Sequence, residues 1–218
     1  DLAEVPQPRI VYRSTADTEG PQLEAWLRRL AKLGGSTVLV GAPSTGQKVN
    51  ISLRDAYALR AERTPEVPLG GVAIAERHQQ RGDEHERMLS KMDQGCSFFI
   101  SQAVFSVTAS KNLISDLRYA CEKADRSPPR LLITLSPCGS LKTLAFMRWL
   151  GVEVPRWIEN ELTHAHDILE RSVDLVYENY EQLSDFASRM GVELGCNVES
   201  VSTRKAEIEA SVELVHRV

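Results

Sequence analysis

Residues Cys96-Ser-Phe-Phe-Ile-Ser-Gln-Ala-Val-Phe-Ser106 decide the fold. The stretch is an apolar run of strand length with one amide, Gln102, near its end. Gly95 separates it from a charged helix over Glu84 to Gln94. Helix, glycine, buried strand and a polar residue at the strand's exit is the order in which a parallel α/β protein presents a site residue.

The same grammar extends in both directions. Downstream, Lys111–Ala124 reads as a helix, Arg130–Leu135 as a strand and Leu141–Leu150 as a helix. Pro155–Met190 is helical throughout, in two or three pieces, Glu193–Ser200 is the last strand and Lys205–Val215 the closing helix. Upstream, Arg9–Ser14 is a short β-branched and aromatic strand. Pro21 opens a helix whose stripe is Leu23, Trp26, Leu27, Leu30 and Leu33, and Gly34-Gly35 ends it. Thr37–Val40 is a buried strand, Gly41–Asn50 a polar loop, Ile51–Arg63 a helix, and Leu69–Ala75 a strand running into a hydrophilic loop at Glu76. Six strands, nearly all followed by helices and without a hairpin signal, imply parallel pairing through crossovers. The two solutions are an open doubly wound sheet and a (β/α)₈ TIM-type barrel. A barrel takes about 250 residues. Six units in 218 residues then form a single barrel domain, residues 1–218, whose first two βα units are missing; the start at Asp1 without a methionine fits that expectation.

Composition excludes several function classes. Charged residues make up 26% and apolar ones 42%, and the net charge is −4, so no basic field is available for nucleic acid. No apolar run approaches the roughly 18 residues of a membrane span, and no signal peptide is evident. Cys96, Cys121, Cys138 and Cys196 are widely spaced and read as reduced core residues of a cytoplasmic protein.

Parallel strands place their C-terminal ends on one face, where site residues collect. Those ends carry Arg13 and Ser14, then Gly41–Ser44, then Glu76 and His78, then Gln102, Ser136 and Glu199. No lysine stands there for a Schiff base, no Gly-x-Gly-x-x-Gly turn follows a strand, and the Gly41–Gly46 loop lacks a P-loop lysine. Glu76, His78 and Glu199 suit a divalent ion, although solvated loop residues are the commoner reading, and no metal is expected. A buried amide at Gln102 costs roughly 1–3 kcal/mol unless a ligand or neighbouring backbone satisfies it, and both readings stand. Arg87 and Lys91, four apart on one helix face, suit either a phosphate or a solvated basic stripe.

Several of these segments together resemble the methylenetetrahydrofolate reductases. Leu89-Ser-Lys91-Met-Asp-Gln-Gly95-Cys-Ser-Phe-Phe-Ile-Ser-Gln102 is similar to the family's Lys-x-x-x-Ala-Gly-Ala-x-x-x-Ile-Thr-Gln segment. Gly151-Val-Glu-Val-Pro155-Arg-Trp157 is similar to Gly-Val-x-Ile-Pro-x-Trp, and Glu76-Arg77-His78 resembles the end of Tyr-Pro-Glu-x-His. Pro137–Lys142 and Arg204-Lys-Ala-Glu207 are weaker matches. The resemblance implies an eight-unit barrel that reduces 5,10-methylenetetrahydrofolate to 5-methyltetrahydrofolate with NADH or NADPH. It puts Gln102, Glu76, His78, Glu199 and Arg204 on the folate and Lys91, Arg87 and Glu84 on the cofactor. The proton donor is expected on a strand preceding Asp1. The Val40-Gly41-Ala42-Pro43-Ser44 loop lacks the family's flavin-contacting Arg-Gly-Asp, so a flavin-free branch is implied and FAD is disfavoured. Three alternatives are an FAD-dependent reductase, a folate-binding barrel without catalysis, and an unrelated metal-dependent barrel lyase using Glu76, His78 and Glu199. The oligomeric state stays open.

Overall fold

The computed structural model describes residues 7–41 and 49–218, so the part of the Gly41–Ser44 loop from Ala42 onward lies outside the described residues. Strands and helices alternate as β1 (Ile10–Ser14), α1 (Gly20–Lys32), β2 (Ser36–Val40), α2 (Leu53–Arg63), β3 (Leu69–Ala73), α3 (Ala75–Arg81), α4 (Glu84–Asp93) and β4 (Cys96–Ala103). They continue as α5 (Val107–Lys123), β5 (Arg130–Leu135), α6 (Leu141–Trp149), α7 (Arg156–His164), α8 (Ile168–Arg189), β6 (Leu194–Val198) and α9 (Lys205–Arg217). The strands form a six-stranded sheet in the order β1-β2-β3-β4-β5-β6. Pairing is parallel, with Ile10 opposite Ser36, Thr37 opposite Leu69 and Leu131 opposite Leu194. Parallel strands cannot be joined by tight turns, and a helix lies in every connection. Six βα units are present among the described residues, not eight.

The chain divides into two compact units, of which one comprises the described part of Asp1–Val72 together with Met88–Phe99. In it α1 buries Leu23, Leu27 and Leu30, and Pro21 sits in its first turn. Ser52 caps α2 by accepting from the Asp55 N–H at 3.1 Å. The buried guanidinium of Arg60 donates to the carbonyls of Val67 and Pro65, which satisfies a charge that is otherwise costly to bury. Gly70 and Gly71 of β3 are space-limited. A Cβ on Gly70 would lie 2.3 Å from the Phe98 ring, and one on Gly71 would lie 2.6 Å from the Phe99 ring.

The other unit comprises Ala73–Arg87 and Ile100–Val218. Helix α5 buries Leu113, Ile114, Leu117 and Cys121, and the long α8 buries Val173, Val176, Leu183 and Ala187. The expected helical run from Pro155 to Met190 is divided at Ala165–Asp167, where the Asp167 carboxylate caps α8 by accepting from Leu169 and Glu170 N–H groups at 2.9 and 3.1 Å. The expected strand over Leu69–Ala75 ends at Ala73, and Glu76 and His78 stand on helix α3 rather than in a loop. The reason lies in a partner from the next helix: the Ile74 N–H at the N-cap is taken by the Glu84 carboxylate at 3.1 Å, and Gly82, at φ +72°, stops α3.

Gly71→Ala should destabilise the protein by about 1–3 kcal/mol, because Phe99 is buried and cannot move aside freely. Urea unfolding of G71A, and of G71A combined with Phe99→Leu, checks this. The smaller side chain at 99 should make the glycine substitution less costly than it is beside phenylalanine.

Candidate functional site

In the second unit the exits of β4, β5 and β6 carry a connected run of polar side chains. The Ser101 Oγ accepts from the Thr134 N–H at 2.8 Å, and the Thr134 hydroxyl donates to the Ser101 carbonyl at 2.7 Å. The Asn197 amide donates to the Thr134 Oγ1 at 3.2 Å and to a Glu199 carboxylate oxygen at 3.4 Å. Thr134 and Ser136 are buried, and the Ser136 Oγ has no partner among the described residues. A buried hydroxyl left unpaired at the face where ligands collect is a ready contact for one.

Three separate sequence motifs converge beside this run. The half-buried Gln102 donates to the Leu150 carbonyl at 3.3 Å, so its amide is held by backbone at the start of the 150–155 connection. Gln80 of α3 donates to the Glu153 carboxylate at 3.2 Å within the same connection. Glu76 is only 5% exposed, and its Oε1 has no partner among the described residues. Burial, reinforced by the negative charge of Glu153, pushes the Glu76 carboxyl up to about 7.

The remaining expected site residues have other partners. His78 is hydrogen-bonded to Asp116 of α5 at 2.9 Å, and Glu199 is turned to Asn197, so Glu76, His78 and Glu199 are not gathered as ligands of one ion. Glu84 is fully buried. Besides the Ile74 N–H it meets Arg77 and Arg87, each at 3.3 Å. Lys91 donates to the Val72 carbonyl at 2.5 Å. The three residues expected on a cofactor thus each meet a partner of the protein itself.

Arg204 stands at a pocket of about 580 Å³, lined by Ser140, Lys142, Thr143, Phe146, Ser202 and Arg204 among others. Its guanidinium donates to the Gly139 carbonyl at 3.2 Å and to Glu207 at 3.1 Å. Glu207 is 1% exposed and also accepts from the Thr143 hydroxyl at 3.0 Å. A Cβ at Gly139 would fall 2.4 Å from the Glu207 Cγ, so glycine is what admits this carboxylate. The N-termini of α6 and α9 border the pocket, and with Lys142 and Arg204 they make it electropositive. Sequence reading missed Asn197, Glu153 and the buried state of Glu207. Glu207 and Glu153 carried a signal, since they lie in the Arg204–Glu207 and Gly151–Trp157 motifs.

No protein-family model and no curated protein matches the chain. Among solved structures, it is similar to an uncharacterized protein from Clostridium thermocellum that binds two copies of 5-methyl-5,6,7,8-tetrahydrofolic acid. The two share 41% identity over 98% of this chain and 73% of that one, with a TM-score of 0.89. An oxaloacetate acetylhydrolase is 14% identical over 88% of this chain and 73% of its own, with a TM-score of 0.40. A 2,3-dimethylmalate lyase of the PEP mutase/isocitrate lyase superfamily is 13% identical over 95% of this chain and 67% of its own, with a TM-score of 0.41. Likeness at this level carries no argument about function.

These findings correct the reductase reading. The chain is similar to a folate-binding protein and not to a methylenetetrahydrofolate reductase, and the oxidoreductase assignment falls with the resemblance. The structure gives a physical reason why the motifs misled. Lys91 holds a backbone carbonyl, Gly95 sits at φ +96° where the chain leaves α4, and Gln102 holds Leu150. Lys91 and Gly95 serve the scaffold whatever chemistry it carries, and Gln102 does so through one N–H of its amide.

Glu76 links the site to pH. Its carboxyl keeps a proton to about 7 when folded, against a usual value of 4.5, so the folded state binds more protons between those limits. Its contribution is therefore fully present below pH 4.5 and is lost as pH rises to about 7. The loss is about 3 kcal/mol. Glu76→Gln should remove that slope and leave the variant more stable than the parent at pH 8, as read from urea midpoints across the window in buffer free of divalent ions.

Proposed function

We propose that this chain, which belongs to the family of the Clostridium thermocellum protein, is a binding protein for a reduced folate of the 5-methyltetrahydrofolate class and has no catalytic role. The observation that carries the reading is that relationship, to a protein that binds 5-methyltetrahydrofolic acid. The chemistry of the strand exits supports it. A pterin presents amino and ring N–H donors beside carbonyl and ring-nitrogen acceptors. Gln102 offers an amide of both kinds, Ser136 an unpaired hydroxyl, and Glu76, with Glu153 beside it, carboxyl groups that accept from N–H. Glu199 and Asn197 extend the same edge. The glutamate end of a folate is anionic, and the pocket of Lys142 and Arg204, with Phe146 for the aromatic linker, suits it. His78 supports Glu76 from the same helix in this reading and does not touch the ligand.

Binding without turnover needs neither nicotinamide nor flavin, and Lys91, Arg87 and Glu84 act as scaffold. The proposal extends to the fold: the six units are part of an eight-unit barrel, with 1–218 one domain of it, as the uniform parallel pairing and sequential strand order support. It also extends to location. Four free thiols suit a reducing cytoplasm. No helix among the described residues is long and apolar enough to cross a membrane.

Calorimetric titration with 5-methyltetrahydrofolate should show saturable binding. Gln102→Ala and Arg204→Ala should each weaken it about tenfold, the equivalent of about 1.4 kcal/mol. NADH consumption with 5,10-methylenetetrahydrofolate should stay at the enzyme-free background. Absent saturation, or turnover above that background, would overturn the reading.

A further inference from the structure

Helices α3, α4 and α5 bring together a cluster that folate recognition does not use. His78 on α3 is 4% exposed, His85 on α4 is half-buried, and Asp116 on α5 is exposed. The His78 Nε2 lies 2.9 Å from an Asp116 carboxylate oxygen, and the two imidazoles stand edge to face with ring centroids 5.3 Å apart. One donor atom from each of the three residues lies within 4.8 Å of the others.

A hydrogen bond between His78 and Asp116 accounts for part of this arrangement but leaves two ring nitrogens over. The Nδ1 atoms of His78 and His85 are both buried and have no partner among the described residues. A buried ring nitrogen without a partner is costly, and an imidazole gives an ion only one of its two nitrogens, so His78 would ligate through the Nε2 that meets Asp116 and His85 through one ring nitrogen. Tetrahedral bonds of about 2.0–2.1 Å hold ligand atoms roughly 3.3 Å apart, so His78 and Asp116 are already at ligand spacing. Asp116 is 54% exposed, which leaves its side chain free to adjust and gives an ion a way in from solvent.

We propose that His78, His85 and Asp116 form a site for one divalent transition ion of the zinc type, with water completing the coordination. Two imidazoles and one carboxylate favour such an ion over magnesium or calcium, which prefer all-oxygen ligands. The ion would fasten α3 to α4 and α5, across the left-handed turn at Gly82. It thereby stiffens the helix that carries Glu76.

The test uses the purified protein after dialysis against a chelator. Calorimetric titration with zinc chloride alone should give one ion per chain, and cobalt(II) should show the absorption bands of a low-coordinate histidine site. His85→Ala and Asp116→Asn alter residues outside the deep core, and circular dichroism checks that each remains folded. Each should weaken zinc binding tenfold or more, whereas His164→Ala should leave it unchanged. Magnesium should not compete. No saturable zinc binding, binding unaltered in H85A and D116N, loss of binding in H164A, or equal affinity for magnesium would each overturn the site. Folate affinity, titrated separately without metal, reports on the folate site and not on this one.

Discussion

The site side of the second unit depends on one fully shielded carboxylate. Glu84 cannot reach water, so its charge must be met by the protein. It is met by the Ile74 N–H at the N-cap of α3 and by Arg77 and Arg87. That bond sets where β3 stops and α3 begins. Everything α3 presents follows from it: Glu76 at the strand-exit side, His78 against α5 and Gln80 against the 150–155 connection. Removing the carboxylate would free an N-cap donor and two cations at once.

The parallel α/β plan was legible in the sequence because buried strands of such sheets are short continuous apolar runs, as Cys96–Ala103 and Arg130–Leu135 are. Helix α3 was not legible. Ala-Glu-Arg-His-Gln-Gln-Arg has no apolar stripe, and what holds it is an N-cap partner ten residues ahead and a hydrogen-bond partner thirty-eight residues ahead. The same limit applies to Gln102. Its amide reads as a group needing a partner, but the Leu150 carbonyl that supplies one lies forty-eight residues away. Sequence pattern reports local periodicity, and these contacts are made by the fold.

The motifs shared with the reductases led to folate, the ligand of the Clostridium thermocellum relative. They did not carry the reaction, because residues that close a βα unit are needed with or without hydride transfer. The residues assigned to a cofactor show this directly. Glu84, a buried carboxylate held by two guanidinium groups and a backbone N–H, has no donor to offer a phosphate and is occupied within the scaffold.

The close fit between Gly139 and Glu207 has a corollary for the pocket beside them. The Glu207 side chain fills the space that a Cβ at 139 would need, so a side chain there would have to push the carboxylate aside. Moving it takes the shared acceptor away from Thr143 and Arg204 together. The absence of one carbon at 139 thus fixes the posture of the pocket's cation.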